Sequence, residues 1–187
     1  KKEVIMDILK QRSSFAEQKE QLGTAHAVKA AKEILGGKEG TTFIIPGDVP
    51  LITKNLINKA FSAHDEMGND LTIISMVVEY PKGYGRIVRD EYQTITGIVE
   101  ELDLLESQKE INEVNTGIYL INNKVLFEII DEIEMNPIKK EYYLTDIVKL
   151  MHKKYKVNTL RARHENETMG INDLYGIGVA EKYLRET

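Results

Sequence analysis

The run Thr41-Thr42-Phe43-Ile44-Ile45 is apolar at nearly every step and ends abruptly at Pro46-Gly47-Asp48-Val49-Pro50. A strand with no inside–outside alternation has to be covered on both faces, as in a parallel sheet flanked by helices. A second unbroken apolar run spans 71–78, and the stretch between the two suits a helix with Thr53 as its N-cap. Ahead of the first run, Ala27, Ala30, Ala31, Ile34 and Leu35 recur at helical spacing until Gly36-Gly37 stops them. Strands alternating with helices of this length are βαβ units, so the chain is expected to be α/β. Its 187 residues, 42% of them hydrophobic, supply one domain with a real core, taken as the whole of 1–187.

The middle of the chain reads differently. Segments 83–88 and 94–99 are short, flanked by turns and suited to pair antiparallel. A charged helix is predicted over 102–110, a strand over 114–121, helices over 124–133 and 145–154, and a strand over 157–161. A closing helix follows Asn172, an opening one carries Val4, Ile5, Ile8 and Leu9, and 13–17 suits a short strand. The expected architecture is a mostly parallel sheet with an antiparallel insertion at roughly 80–120.

Composition narrows the function. With no cysteine there is no thiol nucleophile, thiolate metal site or disulfide, which permits a cytoplasmic location. No apolar run approaches the roughly 20 residues of a membrane span, and no secretory pattern opens the chain. A net charge of −5 argues against nucleic acid as a partner. The four histidines, His26, His64, His152 and His164, show no metal-ligand spacing. Cytoplasmic enzymes and acidic binding modules are what remain.

Four sets of residues could carry chemistry. Asp48 stands just past the end of a buried strand, where open α/β sheets bind ligands; beside Gly47 it could hold Mg²⁺ against phosphates, or merely shape a turn. Gln18, Gln21, Gly23 and Thr24 combine amides suited to a pyrimidine edge with a glycine at a helix entry, although Thr24 also makes an ordinary N-cap. Gly83-Tyr84-Gly85-Arg86, Glu100 and Asn115-Thr116-Gly117 place small residues beside polar ones at strand ends, which suits sugar hydroxyls and hairpin turns alike. Asn172 offers an amide oxygen to a hard cation, or caps the last helix.

Taken in order, 18–28, Gly47-Asp48-Val49-Pro50-Leu51, 83–88, 97–101, 112–118, 141–146 and 170–173 resemble the uridyltransferase domain of bacterial N-acetylglucosamine-1-phosphate uridyltransferases. These are bifunctional enzymes that also carry a glucosamine-1-phosphate acetyltransferase domain. The resemblance implies a Rossmann-like sugar nucleotidyltransferase fold. It also implies Mg²⁺-dependent coupling of UTP to N-acetylglucosamine 1-phosphate, yielding UDP-N-acetylglucosamine, a peptidoglycan precursor, and pyrophosphate. Carried over by motif, Gln18, Gly23 and Thr24 would meet the uracil end, and Gly47 and Asp48 would lie along the nucleotide. Gly85, Glu100 and Asn115 would bind the sugar, with Tyr142, Tyr143 and Thr145 flanking it. Asp48 and Asn172 would be the catalytic metal ligands, Asn172 also bordering the sugar.

The sequence departs from that family in several places. The glycine-rich loop with Gly-x-Gly-Thr-Arg and the later Pro-Lys is absent, as if on the order of 50 residues and a central strand were missing. Such a loss would leave strand edges unpaired, so a longer protein, or a second chain or copy completing the sheet, is expected. The 187 residues alone are then expected not to catalyse, whereas the parent protein does. The acetyltransferase half is also missing. Pro46 lacks the N–H often present there, Leu102, Leu104 and Leu105 replace a polar run, and Ile138-Lys139-Lys140 replaces a glycine-containing approach. Two other readings stand beside this one: transfer to another sugar phosphate on the same fold, and a non-catalytic nucleotide-sugar-binding module. A metal-dependent glycosyltransferase is disfavoured, because Val49 and Pro50 follow Asp48 where a second carboxylate would serve.

Overall fold

A computed structural model describes residues 2–186. Six strands form one sheet: β1 (Thr41–Ile44), β2 (Leu71–Val77), β3 (Arg86–Arg89), β4 (Ile95–Val99), β5 (Glu113–Asn122) and β6 (Val157–Arg161). The order is β4-β3-β5-β2-β6, with β1 also on β5. Helices α1 (Lys2–Leu9), α2 (Thr24–Ala30), α3 (Lys32–Leu35), α4 (Lys54–Glu66), α5 (Asn123–Ile129), α6 (Ile147–Met151) and α7 (Leu174–Glu186) complete the α/β fold. Among the described residues no helix is long and apolar enough to cross a membrane.

Four of the six strands, β1, β2, β3 and β6, point one way. Strand β5 runs against them and pairs antiparallel with β1, β2 and β3, so β2–β6 is the parallel ladder of the sheet. The β3–β4 hairpin pairs antiparallel as its turn-flanked sequence predicts. Strand β2 is buried almost throughout, in keeping with its unbroken apolar run. Strand β1, expected to be buried in a parallel setting, is instead half-buried and antiparallel to β5. Its edge away from β5 makes no ladder among the described residues.

The core lies on both faces of the sheet, divided by the two-residue period of the strands. Leu71, Ile73, Tyr119 and Ile121 point to one side, against α2, α5 and α6. Ile74, Ile118 and Leu120 point to the other, against Leu56 and Ala60 of α4. Fully burying a Leu or Ile side chain stabilises by about 1.5–3 kcal/mol, so these central residues carry much of the fold. Thr53 caps α4 as expected, its hydroxyl accepting from Leu56 N at 3.1 Å.

Three predicted elements come out differently. The helix expected over 102–110 is two 3-10 turns, Glu101–Asp103 and Glu106–Gln108, because Leu102 and Leu105 point into solvent and give a helix no face to bury. Residues 13–17 form no strand, having no ladder partner among the described residues. The helix from Thr24 breaks at Ala31 into α2 and α3.

Gly23 precedes α2 at φ 99°, ψ 179°, a region that only glycine occupies readily. A Cβ there would lie 2.5 Å from the Tyr142 carbonyl oxygen and 2.8 Å from its nitrogen. That close approach lets Tyr142 N donate to Leu22 O at 2.7 Å and Tyr142 O accept from Ala25 N at 2.9 Å. Gly23→Ala is expected to cost on the order of 3 kcal/mol, read as a lowered denaturation midpoint with unchanged slope.

His64 is buried between α4 and β2, with Nδ1 2.9 Å from Thr72 Oγ1. Thr72 already accepts from Asn69 Nδ2 at 2.9 Å, and Asn69 in turn accepts from Asn158 Nδ2 at 2.6 Å. The network therefore assigns the threonine proton to Nδ1 and a neutral ring to His64. Burial lowers its pKa, opposed by the charges of Asp65 and Asp70. The unfolded chain then takes up a proton that the folded one refuses, and stability falls as pH drops below about 6.5. Denaturant titrations from pH 7 to 5 should show this loss, at most about 1.4 kcal/mol per pH unit, and His64→Asn should flatten it.

Candidate functional site

The site is organised by an irregularity in β5. Between the pairs Ile73–Tyr119 and Ser75–Asn115 the β2–β5 register jumps, leaving two extra residues on β5. The sequence Asn-Thr-Gly accounts for the bulge atom by atom. Asn115 Oδ1 accepts from Gly117 N at 3.1 Å, and Thr116 Oγ1 donates to Ile74 O at 2.7 Å in place of a ladder bond. Gly117 takes φ 77°, a left-handed conformation that glycine adopts without strain. Pro46 packs on it so closely that a Cβ would lie 3.1 Å from Pro46 Cγ.

On the opposite edge of β5, β1 ends at Ile44 opposite Tyr119 and β3 starts at Arg86 opposite Val114. The half-buried bulge faces the gap between them, and a cleft opens on either side of it. The larger, about 590 Å³, extends from Thr24 past Gly47 to Glu100, Tyr143 and Thr145. The smaller, about 390 Å³, holds Asp48, Asn172 and the 82–84 turn. Pro46 and Asn115 border both.

Two expected sugar contacts, Glu100 and Asn115, line the larger cleft, and buried Gly85 touches both from behind. Asn115 N donates to Gly85 O at 2.8 Å, and a Cβ on Gly85 would lie 3.4 Å from Glu100 Oε2. Thr145 Oγ1 donates to Glu100 Oε1 at 3.0 Å. Burial raises the Glu100 pKa above the usual glutamate range, with Asp146 and Asp103 adding to it and the Thr145 bond opposing it. Tyr119 also lines this cleft; burial raises its phenol pKa well above the ordinary tyrosine value, opposed by a hydrogen bond with the Asn115 amide. Sequence reasoning passed over Tyr119, whose place in an apolar strand carries no sign that its hydroxyl meets a polar residue.

Asp48 and Asn172, 124 positions apart in the numbering, converge over Gly170. A Cβ there would stand 3.1 Å from Asp48 Oδ2 and 3.6 Å from Asn172 Nδ2. The backbone fixes the meeting, since Ile171 N donates to Asp48 O at 2.8 Å. Asp173, and not Asn172, caps α7, its Oδ1 accepting from Gly176 N at 2.8 Å. Asn172 is thereby left to face the cleft. Among the described residues no group of three or more His, Cys, Asp or Glu surrounds a metal-sized space. One carboxylate and one amide still suit Mg²⁺, which characteristically rests on one or two protein oxygens, substrate phosphates and water.

The nucleotide-end residues are only partly assembled. Thr24 borders the larger cleft, but as the first residue of α2; its hydroxyl accepts from Leu144 N at 2.9 Å and Gly23 takes the cap position. Gln18 lines a separate hollow with Glu17 and His26. Its Nε2 reaches Gly23 O at 3.0 Å and His26 Nδ1 at 3.2 Å, so its amide nitrogen braces the approach to α2. Tyr142 is turned away and stacks on His26, with ring centroids 6.3 Å apart.

An ion pair between a buried arginine and a half-exposed glutamate supports the turn at the smaller cleft. The Arg86 side chain is 3% exposed and its Nη2 lies 2.7 Å from Glu101 Oε2. Glu101 also accepts a backbone hydrogen bond from Gly83, and these partners hold its pKa below the usual range. Lys82 and Thr168 line this cleft as well, and neither belongs to a motif that the sequence exposes.

The chain resembles known proteins over nearly its whole length. The chain is 50% identical over 186 residues to "Bifunctional protein GlmU" of Acholeplasma laidlawii, which covers 100% of this chain and 40% of that protein. It is 40% identical over 183 residues to the protein of the same name from Enterococcus faecalis, covering 97% of this chain and 40% of the relative. The chain thus spans about two fifths of the length of these relatives. A UDP-glucose pyrophosphorylase solved with UDP-glucose superposes with a TM-score of 0.71 at 16% identity, covering 99% of this chain and 74% of its own. A putative glucose-1-phosphate thymidylyltransferase from Bacillus anthracis gives 0.68 at 18% identity, covering 99% and 72%, and both likenesses speak for the fold. The nucleotidyl transferase family model matches residues 3–166, and the chain belongs to that family.

Proposed function

We propose that this chain provides the sugar- and metal-binding part of a Mg²⁺-dependent uridylyltransferase in the cytoplasm, which joins UTP to N-acetylglucosamine 1-phosphate and releases UDP-N-acetylglucosamine and pyrophosphate. The reading rests on one observation: Asp48 and Asn172 meet beside Asn115, which also borders the cleft containing Glu100. The relatives extend well beyond the aligned region, so turnover is assigned to the whole protein and binding to these 187 residues.

In this reading the sugar lies in the larger cleft. Ionised Glu100 accepts from its hydroxyls, and Asn115 and Gly85 border the ring. Thr24 and Gly47 lie toward the nucleoside. Asp48 and Asn172 would hold Mg²⁺, which when bound would neutralise phosphate charge and help align the reacting groups. An oxygen of the sugar phosphate attacks the α-phosphorus of UTP, and the bond to the departing pyrophosphate breaks. The side chains position reactants and balance charge, and no covalent enzyme intermediate is required. The identity to the GlmU proteins favours the N-acetylglucosamine substrate over other sugar phosphates.

Pyrophosphate release from UTP, N-acetylglucosamine 1-phosphate and Mg²⁺ tests the reaction in the full-length protein, and calorimetry with UDP-N-acetylglucosamine tests binding by the chain. Asp48→Asn should lower kcat by about 100-fold and weaken the Mg²⁺ dependence of binding. Binding indifferent to both Mg²⁺ and Asp48→Asn would refute the proposal, and tighter binding of UDP-glucose would reassign the sugar.

Glu100→Gln should raise KM for the sugar phosphate by about tenfold or more and leave KM for UTP nearly unchanged. The raised pKa of Glu100 fixes a pH signature. Sugar affinity should be full at neutral pH and decline on acidification, starting above the ordinary glutamate range as the carboxylate gains its proton. Glu100→Gln should abolish that decline, read as KM for the sugar phosphate against pH.

A further inference from the structure

The proposed substrates are polyanions, yet the two clefts joined at Pro46 and Asn115 are poor in positive charge. The larger carries Glu100 and no lysine or arginine. The smaller carries Asp48 and Lys82. Among the described residues lining either cleft, Lys82 is the one cation. A phosphate brought beside Asp48 needs more than a divalent ion to balance it, and a lysine at the rim supplies a point charge with three donors.

The chain around Lys82 is built to hold it there. Tyr84 N donates to Pro81 O at 3.2 Å, closing a turn, and Gly83 at φ 90° lets the backbone double back. Glu101 accepts from Gly83 on one side and from buried Arg86 at 2.7 Å on the other, so one carboxylate pins the far end of the turn. Lys82 itself is exposed and makes no ion pair among the described residues. The field of Glu101 reaches it, but that carboxylate is already taken by Arg86.

We infer that Lys82 binds the phosphate of the sugar 1-phosphate substrate and so sets the affinity for that substrate. The inference rests on the function proposed above and adds to it a residue outside the motif-derived set. The choice of phosphate follows from the layout. Asn115 borders both clefts, so a sugar held near Glu100 passes its 1-phosphate across Asn115 into the cleft of Asp48 and Lys82.

The test is calorimetric titration of the full-length protein and its Lys82→Met and Lys82→Arg variants with N-acetylglucosamine 1-phosphate and, separately, UTP, both with Mg²⁺. Position 82 is exposed, so neither variant disturbs the core. Lys82→Met should weaken the sugar phosphate about tenfold, leave UTP within about twofold, and Lys82→Arg should recover most of the loss. Unchanged sugar-phosphate affinity, a loss confined to UTP, or an equal loss for both would overturn the assignment of Lys82. If the unsubstituted full-length protein binds neither ligand, the proposed function itself fails, and the wild-type titration alone reveals that.

Discussion

Two residues too many in β5 create the site. A regular strand would pair β2 on one edge and run unbroken past β1 and β3 on the other, closing the gap where both clefts open. The bulge at Asn115-Thr116-Gly117 prevents this, and its backbone is satisfied by its own side chains. Pro46 packs against Gly117 and Gly85 bonds Asn115, so the ends of β1 and β3 are both referred to the same three residues. Asp48 follows the end of β1, and Glu100 follows β4, whose last residue Val99 pairs with Arg86 at the start of β3.

Polar groups sit half-dry around this irregularity. Glu100 is buried enough to be reluctant to ionise, and Arg86 is buried against Glu101 with its Nε unpartnered. Such arrangements contribute little to stability and are expensive to leave incomplete. Their concentration around one gap in the sheet, while the rest of the core is aliphatic, is the usual mark of a binding region. The His64–Thr72–Asn69–Asn158 chain is a contrast: its hydrogen bonds are made within the fold, none of its residues lines either cleft, and its effect is on stability.

Much of the scaffold could be read from residue patterns. The apolar run of β2, the turn-flanked β3–β4 hairpin and the Thr53 cap each depend on contacts within a few residues. The misread segments depend on distant partners. Residues 13–17 have strand-like composition and no neighbour to pair with; 102–110 has helical charge spacing and no surface to bury. Strand β1 reads as doubly covered, yet one edge has no ladder among the described residues and its residues stay half-exposed. Gln18 and Thr24 looked like ligands or caps, and much of their bonding instead holds α2 to its own surroundings.

The order of motifs along the chain, by itself, was sufficient to indicate an α/β nucleotidyl transferase and to nominate Asp48, Glu100, Asn115 and Asn172, because residue type and spacing survive without coordinates. Only the tertiary structure decided that β5 runs against its neighbours, that Asp48 and Asn172 both come close to Gly170, and that Lys82 lines the same cleft. Strand direction and side-chain convergence arise from hydrogen bonds between segments far apart in the chain, and no local pattern encodes them.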